Sequence, residues 1–288
     1  MDSYPLGNLF VHRVGFGAMQ LPGPGVMGPP RDHTEAIAVL RRAVELGVNH
    51  IDTAQFYGPD VANELIREAL HPYPDELVLV SKVGAFRDEQ GGWLPGQQPA
   101  QLRSAVEDNL RSLGTDRLGA VNLRLMPEHG LPAEEQVALA DQLAELVALR
   151  EEGKIAGVGI STASRDQVEQ AIDQAGIVCV QNAFSLLDQR DADVLQLCHE
   201  SGVAYVPYFP LGSAFPHLPK VTEDPAVRAV AERLGASPAQ VGLAWLLAHR
   251  DNVLLIPGTS SVTHLEQNMA VADLTLEPAD LAELESAH

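Results

Sequence analysis

Cysteine is nearly absent: the 288 residues contain two, Cys179 and Cys198. They stand far apart in apolar surroundings, which excludes a disulfide framework and reads as two small core residues in a reducing compartment. Aromatic residues make up only 5% of a chain that is 45% hydrophobic, so its core must be aliphatic, as where helices cover strands. Basic residues are scarce too, 19 against 39 acidic, for a formal charge of −20. So acidic a chain suits neither nucleic acid nor an anionic membrane, and an anionic ligand must find a local cation rather than a general field. No apolar run approaches the roughly 18 residues of a membrane span. The opening MDSYPLGNLF lacks a basic n-region followed by an apolar h-region, so no signal peptide is expected. We read no metal-ligand spacing. The expectation is a cytoplasmic protein, a monomer or small homo-oligomer, whose partner is a small molecule rather than nucleic acid or membrane.

What is present is an alternation. Apolar β-branched runs at 13–19, 48–53, 77–83, 118–125, 155–162, 177–184, 203–211 and 253–259 are separated by amphipathic stretches. Among these are TEAIAVLRRAVELG (34–47), QLRSAVEDNLRSLG (101–114) and EEQVALADQLAELVALREEG (134–153), each with apolar residues three and four apart and a terminal Gly suited to a C-cap. Eight strands with intervening helices predict one α/β domain over 1–288, a parallel (β/α)8 barrel. A doubly wound open sheet is the competitor. It would carry G-x-G-x-x-G after the first strand, and GFGAMQ (15–20) misses that spacing. YPLGNLFVHRVG, before the first strand, reads as an N-terminal hairpin turning at Gly7-Asn8 and covering the closed end of the barrel. Two long polar insertions, 84–99 and 212–225, follow strands and so fall on the C-terminal face as lid candidates.

In a barrel, polar residues at strand C-termini read as catalytic more often than as packing. Here the strand ends supply Asp52-Thr53, Ser81-Lys82, Asn122, Arg124, Ser161-Thr162 and Gln181-Asn182. A buried acid and a buried lysine need one another, which couples Asp52 to Lys82. A cation beside Tyr57 would lower its pKa from about 10 and make it a usable proton donor. The plainer alternatives are a structural ion pair for Asp52–Lys82 and an ordinary loop aromatic for Tyr57.

With these residues, IDTAQFYG (51–58), SLGTD (112–116), EEGKIAGVGIST (151–162), YVPYFPLGS (205–213), SPAQVGLAWLL (237–247) and IPGTSSVTHLEQN (256–268) resemble aldo-keto reductase segments, in that family's order and over nearly the whole chain. The resemblance implies a TIM barrel that binds NADPH without a Rossmann domain and reduces carbonyls by direct hydride transfer. It implies Tyr57 as general acid, tuned by Asp52 and Lys82. The family's fourth residue is normally a histidine. Counting from Leu113-Gly114-Thr115-Asp116 puts Arg124 in its place, whereas a slid alignment would give Pro127; His129 is an outside candidate, and an Arg124 turned toward the helices is the structural alternative. A guanidinium there could donate to the substrate oxygen but could not release a proton.

The resemblance further implies cofactor contacts at Gly17, Met19, Ser161, Thr162 and Gln181, with Tyr208 stacked on the nicotinamide. Phe209, Pro210, Leu211, Gly212 and Ser213 correspond to the loop over the pyrophosphate. Gly258, Thr259, Ser260, His264, Gln267 and Asn268 correspond to the adenosine end, with amides near Ser261 as further anion donors. The usual basic residues for the 2′-phosphate are missing, so NADH stands beside NADPH, and Lys220 is a candidate to close over a phosphate. Gln20, Phe56, Phe86 and Trp93 are expected around the substrate, with Met19 and Phe184 on the same rim. GAMQLPGPGVMGPPRD (17–32), VNLR (121–124) and VQNAFSLL (180–187) are similar to a bacterial subgroup that includes pyridoxal reductases, which implies pyridoxal as substrate. Two other readings stay open: a nucleotide-bound regulatory or sensor subunit with little turnover, and a barrel lyase using Lys82 as a Schiff base, for which the YFPLGSAFP loop (208–216) offers too little glycine.

Overall fold

The computed structural model describes residues 2–126, 136–212 and 219–286. The chain opens with an antiparallel hairpin, β1 (Ser3–Leu6) and β2 (Leu9–His12), turning at Gly7-Asn8. Gly7 has φ +64, the left-handed conformation that such a tight turn requires.

A curled parallel sheet follows, built from β3 (Phe16–Gly17), β4 (His50–Asp52), β5 (Val78–Arg87), β7 (Ala120–Arg124), β8 (Val158–Ser161), β9 (Cys179–Gln181) and β10 (Ala204–Tyr205), each paired to its neighbour in that order. The eighth position is taken by residues 253–255, bridged to β10 through Val253 and to the chain before β3 through Leu255. Backbone bonds from Gly15 N to Leu255 O, and from Leu254 N to Tyr205 O, close the ring at 2.8 and 2.9 Å. The barrel expectation therefore holds and the open sheet is excluded. The paired segments are shorter than the apolar runs, because each run continues as unpaired extended chain past the ladder.

Helices α1 (His33–Glu45), α2 (Val61–Leu70), α3 (Pro99–Leu113), α4 (Leu139–Glu151), α5 (Arg165–Ala175), α6 (Ala192–Glu200), α7 (Pro225–Leu234), α8 (Pro238–His249), α9 (Val262–Met269) and α10 (Pro278–Ser286) complete the described elements. The amphipathic stretches end as their glycines suggested: Gly114 caps α3 at φ +67, and Gly47 and Gly153 follow α1 and α4 at +90 and +82. The expected helix over 134–153 begins at Leu139, and its first two residues lie outside the described set.

Two cores result. The outer one fills the space between strands and helices. The inner one stacks Val78, Val80, Ala120, Cys179, Ala204 and Leu254 inside the barrel, with Leu6 and Val11 of the hairpin stoppering its lower end. His50 belongs to the lower barrel too: it is 3% exposed, neither ring nitrogen has a hydrogen-bond partner, and Gly15 lies so close that a Cβ there would fall 2.2 Å from the imidazole. Both cysteines are buried and free, and burial pushes each thiol up to about 12. Among the described residues no helix is long and apolar enough to cross a membrane.

The 84–99 insertion is not an irregular lid. β5 runs on to Arg87 and pairs antiparallel with β6 (Trp93–Gly96), so the segment is a hairpin rising from the strand that carries Lys82. Its register sets Arg87 opposite Trp93 and Phe86 opposite Leu94.

Candidate active site

Strand parity decides which strand-end polar groups enter the barrel. Asp52 pairs with Val80, two residues before Lys82, so both charged side chains fall on the inner face. They are 3% and 5% exposed. The Lys82 ammonium donates to Asp52 Oδ1 and, at 3.0 Å, to the Thr53 carbonyl. Asp52 Oδ2 accepts from Gln181 Nε2 at 3.0 Å. The buried charges are thus mutually paired and hydrogen-bonded.

Thr53 and Ser81, one residue out of phase, face the helices instead. Thr53 Oγ1 donates to Asn63 Oδ1 (2.8 Å), Asn63 Nδ2 to Asn109 Oδ1 (3.0 Å) and Ser112 Oγ (2.9 Å), and Ser81 Oγ to Asn109 Oδ1 (2.5 Å). This polar network is a structural brace behind the acid and the lysine. Asn182 likewise serves the backbone, exchanging bonds of 3.0 and 2.7 Å with Ala163. Asn122 does point inward, where its Oδ1 accepts from Cys179 Sγ at 3.3 Å, in space left by Gly159.

Tyr57 sits in the loop after β4. Gly58 N donates to Val26 O and Gly28 N to Gly58 O, both at 3.1 Å, tying this loop to the preceding 22–28 segment. Gly58 has φ +101, and a Cβ there would strike Val61 at 2.4 Å, so the turn that presents Tyr57 needs glycine. The Tyr57 ring is 5% exposed, and its centre lies 5.0 Å from Lys82 Nζ. Burial raises the phenol above its ordinary 10; Lys82 and Arg124 pull it down without reversing the direction, and Asp52 adds to the rise. The expected lowering is therefore corrected: in the closed mouth, desolvation outweighs the cations. For Lys82, burial opposes the charge, but Asp52 and Tyr57 outweigh it and hold the pKa above the usual value. At neutral pH the site holds an intact phenol over a charged ammonium.

Arg124 ends β7 and does not turn to the helices. Its guanidinium carbon lies 4.5 Å from the centre of the Trp93 ring, over which Arg87 also sits, at 3.6 Å. Gly84, at φ +98, lets the Arg124 carbonyl approach where a Cβ would meet it at 2.4 Å, and Gln97 Nε2 donates to that carbonyl at 3.2 Å. Phe56 is edge-on to both Tyr57 and Trp93, with ring centres 5.4 and 5.2 Å apart. Phe56, Tyr57, Trp93 and Arg124 thus come together. Phe86 shares the opposite face of the hairpin with Leu94 and is 39% exposed. Phe184 leaves the expected rim altogether, packing against Tyr205 and Trp245 in the outer core. Arg87 was not anticipated; its one signal was its place opposite an aromatic across the Gly91-Gly92 turn.

Arg124, Ser161 and Gln181 are successive partners across β7, β8 and β9, so three of the expected contacts share one rung. Gln181 gives its side-chain amide N–H to Asp52, and its side-chain oxygen Oε1 accepts no hydrogen bond among the described residues. Ser161 Oγ lies 3.5 Å from Thr162 Oγ1. Tyr208 is half-buried, its N–H donating to Asn182 O at 3.0 Å and its ring edge-on to Phe209 at 5.1 Å. Phe209, Pro210 and Leu211 form a turn closed by Gly212 N donating to Phe209 O at 2.9 Å. Ser213, Pro127 and His129 lie outside the described residues. Among the described residues, Val26, Asp60, Thr162 and Phe209 are the non-glycines with positive φ (61, 63, 61 and 54). All four stand on the loops of the mouth, where strained backbone gathers at working sites.

The far end differs from expectation. Gly17 and Gly258 are glycines because the first and last strand segments cross there: a Cβ on Gly258 would lie 2.5 Å from Gly17 O, and one on Gly17 2.5 Å from Ile256 O. Met19 is half-buried and Gln20 exposed beside this crossing. The amides expected to bind an anion are occupied: Ser261 N donates to Thr259 Oγ1 at 3.1 Å, and Val262 N to Glu35 Oε1 at 3.0 Å. A carboxylate therefore already caps α9. Ser260, His264 and Gln267 are exposed and Asn268 half-buried on the same rim. Lys220 is paired with Glu223 at 3.2 Å.

Comparison with known proteins agrees with this geometry. The chain is 49% identical over 286 residues to a pyridoxine 4-dehydrogenase of Escherichia coli, covering 99% of this chain and 97% of that protein. A thermostable aldo-keto reductase solved with the inhibitor epalrestat superposes with a TM-score of 0.84 at 26% identity, over 100% of both chains. An aldo/keto reductase of Klebsiella pneumoniae solved with NADP and acetate gives 0.79 at 26% identity, over 96% of this chain and 92% of that one. The model of the aldo/keto reductase family matches residues 13–288, and with barrel, inward acid–lysine pair and buried tyrosine all in place, the chain belongs to that family of oxidoreductases.

Proposed function

We propose that this enzyme reduces an aldehyde or ketone to its alcohol with a nicotinamide nucleotide, NADPH before NADH, and that pyridoxal is a substrate. The observation that carries the reading is the buried Tyr57 ring 5.0 Å from the Lys82 ammonium, which is itself held by Asp52. The residues present fit the cofactor: the free Gln181 side-chain oxygen and Ser161 on adjacent strand ends suit a carboxamide, and Tyr208 offers a half-buried ring face beside them. The bound cofactor supplies the hydride. Tyr57 delivers its proton to the carbonyl oxygen, and its raised pKa keeps that proton loaded across the neutral range. As the proton leaves, Lys82 and Arg124 stabilise the phenolate, and Arg124 donates to the oxygen that gains charge. Asp52, braced by Gln181, keeps Lys82 charged and aimed. Pyridoxal is supported by the kinship with a pyridoxine 4-dehydrogenase and by the half-exposed Trp93 ring, which Phe56 joins to Tyr57.

The test is NADPH oxidation with pyridoxal, followed by absorbance, in wild type and Tyr57→Phe. The variant should lose about 10²–10⁴-fold in turnover while its nucleotide affinity stays nearly constant. Equal loss of binding and turnover would remove Tyr57 from the role of acid.

A further inference from the structure

We infer that Arg87 and Arg124, held over Trp93, form a receptor for an anionic oxygen group, carboxylate or phosphate, on the carbonyl substrate. This deepens the proposed function and rests on it. The Arg124 guanidinium donates no hydrogen bond and makes no ion pair among the described residues, and its buried Nε has no partner. Arg87 gives Nη1 to Gly91 O at 2.7 Å and reaches Gly25 O at 3.4 Å, again with a buried, unpartnered Nε and no acidic partner among the described residues. The nearby carboxylate of Asp88 is spent on the hairpin turn, accepting from Gln90 N at 2.9 Å and Gly92 N at 2.6 Å. Elsewhere Arg103, Arg165, Arg190 and Arg233 each find an acid.

The charges of the mouth do not cancel locally. Asp52 and Lys82 neutralise one another, which leaves two cations close enough for Arg124 to depress the pKa of Arg87. Such a pair persists at a local electrostatic cost, in a chain of net charge −20 that has acids in surplus. Both guanidinium groups lie over the Trp93 ring, Arg87 being further fixed by its bonds to Gly91 and Gly25, while the Arg124 N–H groups are given to no acceptor among the described residues. Phe56 joins the Tyr57 ring to Trp93, over which both guanidinium groups lie, so an anion seated here would hang from a substrate whose carbonyl is at the phenol. Trp93, 37% exposed and backed by the buried Phe56, provides an aromatic wall, which makes the fitting substrate an aromatic carbonyl bearing an anionic group.

The experiment uses matched aldehydes with NADPH: benzaldehyde against 4-carboxybenzaldehyde, and pyridoxal against pyridoxal 5′-phosphate. Wild type should prefer the anionic member of at least one pair by about tenfold or more in kcat/KM, and the pair that shows it tells carboxylate from phosphate. Arg87→Leu should abolish the preference through KM while leaving the uncharged aldehyde within about twofold, and Arg87→Lys should restore part of it. No preference in wild type, or an equal fall for both members of a pair, overturns the proposal. If wild type reduces none of the four aldehydes, the carbonyl-reductase reading fails on its own. The anion receptor is then judged by benzoate quenching of Trp93 fluorescence: quenching that disappears in Arg87→Leu supports it, and no quenching overturns it.

Discussion

His50 offers the sharpest test of how the lower barrel is built. Its ring is sealed between strands with no hydrogen-bond partner, and burial lowers its pKa from 6.5 to about 4. A folded pKa below the unfolded one means that the unfolded chain takes up a proton first as pH falls. The stabilising contribution is thus complete above 6.5, declines between 6.5 and about 4, and is gone below that. A gap of this size, at about 1.4 kcal/mol per pH unit, amounts to about 3 kcal/mol. His50→Met keeps the volume and removes the titrating ring. Urea denaturation of both proteins at pH 7.5, 5.5 and 4.0 should show the wild type losing about 3 kcal/mol more than the variant over that span. Parallel curves would show that the imidazole finds water or a partner in solution, and the dry lower barrel would be wrong.

Three further outcomes follow from the braces and the rim. Asn109→Ala removes the acceptor shared by Asn63 and Ser81 and should cost about 2–4 kcal/mol, read by urea denaturation, while the folded fraction keeps its turnover. Lys82→Met leaves Asp52 buried with only Gln181 and should destabilise by about 3–5 kcal/mol; adding Asp52→Asn should recover much of the loss, and no recovery would argue against a coupled pair. Glu35→Gln neutralises the carboxylate on the α9 N-terminus. It should improve NADPH binding relative to NADH by roughly 1 kcal/mol, about fivefold, measured by fluorescence titration of both nucleotides.

Alternation of β-branched runs with helical periods made the barrel legible, and Gly7-Asn8 made the lower hairpin legible. The site was harder, because adjacent polar residues at a strand end look alike in sequence. Asp52 and Thr53 must face opposite ways, as must Ser81 and Lys82, yet only the ladder says which of each enters the barrel. The 84–99 segment hid its hairpin behind Gly, Pro and charge, which suit a loop as well as a turn with short arms. Glu35 was invisible for another reason: it reaches α9 from 227 residues away, and no local pattern encodes such a contact. The sign of the Tyr57 shift depends on how completely the mouth is shut, a sum over neighbours from several loops.

The length of β5 has a consequence for redesign. Lys82 lies on its inner face within the wall of the barrel, and Arg87 stands five positions on, beyond the rim, with Gly84 between them pressed on the Arg124 carbonyl. In the proposed reaction, chemistry and admission are therefore graduated on one rigid ruler. Alterations to the Asp88–Gly92 tip can re-shape the hairpin without moving Lys82. Any change of length between Lys82 and Arg87 shifts one against the other, and a change by one residue turns Arg87 to the other face, so a designer seeking a new substrate should vary the tip and leave the stem alone.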